Sequence, residues 1–92
     1  MLEQAIQRKI LDYLSTLPDC WAFKCITSNR SGTPDIIACI GGRFVALEVK
    51  TIKGQPSPIQ VVQMQRIRDA GGIAEVVRSV EDVLHLVTTQ GL

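Results

Sequence analysis

The stretch IIACIGGRFVALEV, residues 36–49, constrains the fold of this chain more than any other. Two runs rich in β-branched and apolar residues flank Gly41-Gly42, a pair that readily supplies the positive φ angles of a two-residue hairpin turn. The spacing predicts an antiparallel hairpin in which Ile40 pairs with Arg43, which sets Asp35 opposite Glu48. Alternation then puts Asp35, Ile37 and Cys39 on the same face as Phe44, Ala46 and Glu48, with Lys50 one step further along. Three charged groups meet at one end of an otherwise apolar surface.

Directly opposed side chains on a hairpin have Cβ atoms roughly 4.5–5.5 Å apart, and like charges so placed are destabilising. A hard divalent cation between them resolves the conflict. Mg²⁺ typically takes one or two carboxylates and keeps several waters, and Mn²⁺ suits the same oxygen ligands. The alternative is a solvated arrangement in which one carboxylate points outward and Lys50 neutralises the other, an exposed ion pair worth ~0–1 kcal/mol. A register slip of one residue would also part the two acids. The residue pattern alone leaves these readings open.

Around the hairpin, Leu2, Ile6, Ile10, Leu14 and Leu17 recur at helical spacing, with Tyr13 alongside, and predict an amphipathic helix over about 2–17 that Pro18-Asp19 stops. A strand is expected over Cys20–Thr27, followed by the polar loop Ser28–Gly32. Ser57-Pro58 suits an N-cap and first helical position, so a helix is expected over about 58–70, closed by Gly71-Gly72. Ile73–Val77 reads as a strand, and Ser79 caps a last helix carrying Val80, Val83, Leu84 and Val87. The order is α-β-β-β-α-β-α: an α/β fold with a mixed four-stranded sheet flanked by helices, its last strand reached by a right-handed crossover. At 92 residues with no internal linker, residues 1–92 are expected to form a single domain.

Composition narrows the classes further. No apolar run approaches the ~20 residues of a membrane span, so a cytoplasmic protein without a membrane partner is expected. The net charge of +1 neither requires nor excludes a polyanionic partner, since phosphate binding depends on a local patch. Cys20, Cys25 and Cys39 lack metal-site spacing and are expected to be reduced thiols in the core. His85 lies among apolar residues of the last helix, away from the charged cluster, and reads as a structural or surface histidine.

The pattern Gly32-Thr33-Pro34-Asp35, twelve intervening residues, then Glu48-Val49-Lys50, resembles the PD-(D/E)XK nuclease superfamily and, within it, the VRR-Nuc family of virus-type replication-repair nucleases. The resemblance extends over nearly the whole chain: Glu3 followed by Ile6-Gln7, the Gly-x-Pro-Asp and Glu-x-Lys pair, then Ser57-Pro58-Ile59-Gln60 opening a helix that ends in Gly71-Gly72. It implies a restriction-endonuclease-like core and a divalent-metal-dependent DNA endonuclease with no organic cofactor. Asp35, Glu48 and the Val49 carbonyl would ligate Mg²⁺ or Mn²⁺, and Lys50 would orient or deprotonate the attacking water. Glu3 would reach the metal or its water shell, with a dipole-favoured acid in a first turn as the alternative. Gln60 would take an active-site role, in competition with a capping box Ser57-x-x-Gln60. Arg30, Ser31 and Lys53 flank the site and suit phosphate contacts. Analogy with Holliday-junction resolvases implies branched or structured DNA, a homodimer, and, for a phage-encoded chain, the cytoplasm of a microbial host. A non-catalytic nucleic-acid-binding module on the same scaffold is the alternative function.

Overall fold

The computed structural model describes residues 1–92 and runs α1 (Glu3–Leu14), β1 (Cys20–Lys24), β2 (Ile36–Ile40), β3 (Arg43–Val49), α2 (Pro58–Asp69), β4 (Ile73–Val77) and α3 (Val80–Thr89). The strands form one mixed sheet in the order β1-β2-β3-β4. The β1–β2 and β2–β3 pairs are antiparallel, and the β3–β4 pair, joined through α2, is parallel. This is the element order and mixed sheet that the sequence pattern predicts.

The hairpin has the expected register, with Ile36 opposite Leu47 and Ile40 opposite Arg43. Gly41 and Gly42 take φ of 58° and 80°, the left-handed turn that favours glycine. Because β3 lies inside the sheet, its alternation feeds two different cores. Val45, Leu47 and Val49 enter a thirteen-residue cluster with Ile6, Ile10 and Leu14 of α1 and Val83 and Leu86 of α3. Ala46 points the other way and packs with Met64 of α2 and Ala74 of β4 in a cluster of three. The helices α1 and α3 therefore cover one face of the sheet and α2 the other.

Element ends differ from the sequence expectation for local reasons. Helix α1 stops at Leu14 instead of near residue 17 because the Ser15 and Thr16 hydroxyls donate to the Asp12 and Tyr13 carbonyls at 2.6 and 2.7 Å, an alternative to continuing the helix. Strand β1 ends at Lys24 rather than Thr27: Cys25 N–H still donates to Asp35 O at 2.8 Å, but Pro34 follows on the partner side with no N–H to offer. In α3 the buried positions are Val83 and Leu86, and Leu84, expected on the apolar stripe, is exposed. The three cysteines are free, but none is a core thiol: Cys20 and Cys25 are half-buried, and Cys39 is exposed on the α2 side of β2.

Candidate active site

Asp35 ends the loop entering β2, and Glu48 and Lys50 lie at the far end of β3 on the face that α2 covers. Glu48 is only 1% exposed, in a row whose other members are apolar or alanine. Its Oε2 lies 3.5 Å from Lys50 Nζ and accepts a hydrogen bond from Gln60 Nε2 at 3.1 Å. Its Oε1 is buried with no partner. The Asp35 carboxylate is anchored from the opposite strand by Val49 N–H, which donates to Oδ2 at 2.8 Å.

Burial first, then the negative charge and hydrogen bond of Asp35, push the Glu48 carboxyl up to about 8, against the opposing pull of Lys50. A carboxyl buried beside another carboxyl, and only partly offset by a lysine, holds a proton where two ionised acids would repel. The geometry excludes the exposed ion pair weighed above, since Glu48 is shut away from water.

Gln60 both caps α2 and touches Glu48, so the two placements that the sequence set in competition are compatible. Its Oε1 accepts from Ser57 N–H at 2.8 Å, and its own N–H donates to Ser57 Oγ at 3.4 Å, completing a capping box. The remaining amide nitrogen is free to reach Glu48. Gly32 fixes the approach of this helix. It sits at φ 76°, and a Cβ there would come within 2.9 Å of the Ile59 backbone, so only glycine lets the loop before Asp35 lie against the first turn of α2.

The other candidate residues are placed less closely. Glu3 is half-buried at the start of α1, the helix on the opposite face, and no group of three or more Asp, Glu, His or Cys side chains is gathered to hold a metal. Ser31 and Lys53 are exposed. Arg30 lines a groove of about 560 Å³ between the loop before β2 and α2. His85 is exposed on α3.

One residue outside the sequence-based set shapes the neighbourhood. Arg78 Nη1 donates to Thr51 O and Gly54 O, both at 2.6 Å, and ties down the loop that leaves Lys50. An arginine following a strand carries no spacing signal for this role. Gln7 is buried on α1 with its Oε1 partnerless.

The element order and mixed sheet define an α/β fold of nuclease-like type. A solved structure described as a VRR_NUC domain aligns with TM-score 0.80 at 27% identity, covering 94% of this chain and 94% of that chain. Another, described as a VRR_NUC domain protein, aligns with TM-score 0.77 over 97% of this chain and 87% of that chain, and at 15% identity shows likeness of fold alone. No protein-family model matches the sequence, and the search of curated proteins finds no match. The first of these neighbours is similar to this chain in sequence as well as in fold over nearly the whole of both, and its description is that of a nuclease domain of the kind the sequence pattern resembles.

Proposed function

We propose that the chain is a Mg²⁺- or Mn²⁺-dependent DNA endonuclease that hydrolyses phosphodiester bonds in branched or structured DNA, working as a homodimer. One observation carries the reading: the partnerless, buried Glu48 Oε1 on a carboxyl that interacts with the neighbouring Asp35. A buried carboxylate oxygen without a donor is costly, and a cation that binds oxygen removes the cost. The residues present fit such an ion. A protein that merely binds DNA has no use for two opposed carboxylates facing a polyanion.

Asp35, Glu48 and the Val49 carbonyl would hold the ion. Bound there, it would polarise a phosphoryl oxygen and stabilise the leaving oxygen. The protein's own groups do the rest. Val49 N–H fixes the Asp35 carboxylate, and Gln60 fixes Glu48 from the opposite side. Lys50 brings positive charge to the edge of the pair, where it orients the attacking water and offsets charge growing on the phosphate. Arg30, Ser31 and Lys53 would contact flanking phosphates, and Glu3, on the helix of the other face, would reach at most the outer water shell of the ion.

The test is to incubate wild type and Asp35→Ala with linear, flapped and four-way DNA in Mg²⁺, Mn²⁺ or EDTA. Metal-dependent cleavage by wild type and none by the variant is expected. Absence of metal-dependent cleavage on every substrate contradicts the reading, and equal cleavage by the variant removes Asp35 from it.

A further inference from the structure

Helix α2 leaves much of its face of the sheet uncovered. It packs on β3 and β4, so the outward side chains of β1 and the far end of the hairpin have no helix above them. Trp21, Phe23 and Phe44 are 69%, 41% and 47% exposed. The strand register makes them one surface: Trp21 pairs with Cys39, which pairs with Phe44, and Phe23 pairs with Ile37. The Trp21 and Phe23 rings lie 5.3 Å apart between centroids, inclined at 55°.

The surface is continuous with the candidate site. On the same face of β2, Ile37 and then Cys39 follow Asp35, so Phe23 and Trp21 stand roughly 7 and 14 Å along the strand direction from the carboxylate row. Beside Phe44 runs the groove lined by Arg30, Arg66 and Ile67, with no acidic residue in its walls. Ion pairs form at Lys50–Glu48 and Arg68–Glu75, and neither Arg30 nor Arg66 takes part in one.

We propose that this aromatic face, with Arg30 and Arg66 at its edge, is a platform for unpaired nucleotides next to the scissile phosphate. The inference rests on the nuclease reading for the position of that phosphate and deepens it by naming the substrate class, DNA with a single-stranded segment beside the cut. Exposed rings take bases by stacking, and unpaired guanidiniums along the same track take the backbone. In a base-paired duplex the base faces are already stacked and out of reach. A second copy of the chain is the rival occupant. A two-fold contact through this face would bring the same unpaired arginines from both copies together, so the charge favours a polyanion.

Trp21 is the only tryptophan, so its emission reports directly on the platform. The experiment titrates full-length protein in EDTA with a fluorescein-free single-stranded oligonucleotide and with the blunt duplex of the same sequence, reading Trp21 quenching, while labelled copies of each give affinity by anisotropy. Saturable quenching by the single strand is expected, with far less by the duplex. The Phe23→Leu/Phe44→Leu variant should bind single strands about tenfold more weakly, as for loss of base stacking, and bind duplex within twofold of wild type. Melting followed by circular dichroism checks that this variant folds, and the wild-type quenching needs no variant at all. No quenching at oligonucleotide concentrations that saturate the anisotropy overturns the proposal. So does a Trp21 emission shift that tracks protein dimerisation in the absence of DNA, which assigns the face to a second copy. Binding is read without metal, so its failure leaves hydrolysis at Asp35 and Glu48 standing, and a failure of cleavage leaves this result intact.

Discussion

The two faces of the sheet are built from alternate residues of the same strands and differ in almost every physical respect. On the side of α1 and α3, helices and strands together contribute thirteen buried apolar residues to one cluster, beside a single buried amide, Gln7. On the side of α2 the buried cluster has three members, edged by the half-buried Ile37, Ile67 and Val76, and beyond them the face carries charged groups, an amide and exposed rings. One residue step along β3, from Leu47 to Glu48, moves from a fully buried apolar side chain to a buried carboxyl with one oxygen left without a partner. A 92-residue chain has room for one good core, and here the second face is released from that duty.

Substitutions that respect this boundary should separate stability from activity. The largest effect is expected at Leu47→Ala, which opens a cavity in the main cluster and costs about 2–5 kcal/mol, measured by urea unfolding. Equal stability for Leu47→Ala and wild type would dissolve the contrast between the faces. Next, Glu48→Gln should lower cleavage by at least about a hundredfold, the scale for removing a group that stabilises transition-state charge, and still melt cooperatively. Gly32→Ala should cost about 1–2 kcal/mol from its left-handed backbone alone and slow cleavage too, because the clash with Ile59 displaces Gln60. Ser57→Ala sits at the small end, about 1 kcal/mol of cap energy in a thermal melt.

The pH dependence sharpens the same contrast. The Glu48 carboxyl is at about 8 in the metal-free fold against an ordinary 4.5. The folded state therefore binds a proton that the unfolded chain has released, so this contribution to stability is full below about pH 4.5 and is lost as pH rises through 8. Urea unfolding in EDTA between pH 5 and 9 should show stability falling with pH, with Glu48→Gln flattening the fall. A rise across that range, specific to wild type, would contradict the burial of an unpartnered Glu48.

The sequence exposes this division unevenly. The Gly41-Gly42 turn determines the register in a way that can be read directly, and with it the opposition of Asp35 and Glu48. Backbone geometry transmits through short spacings, so the hairpin was legible. The dual service of Gln60 was not, because the Ser57-x-x-Gln60 spacing reports the cap and says nothing of where the free amide nitrogen points. Cys39 was misplaced for a related reason. Alternation assigns it to the α2 face, but only the tertiary structure shows that α2 stops short of it. The same shortfall of α2 leaves Trp21 and Phe44 exposed, although aromatic residues in a strand ordinarily signal a core.

The central claim is that Asp35 and Glu48 together make a cation site. Calorimetric titration of the metal-free protein with Mn²⁺ at pH 7, repeated in buffers of different ionisation enthalpy, tests it most directly. The account predicts one Mn²⁺ per chain, proton release on binding as Glu48 gives up its proton, and loss of binding in both Asp35→Ala and Glu48→Gln. Wild-type protein that takes up no Mn²⁺, or variants that bind it as tightly as wild type, would contradict it.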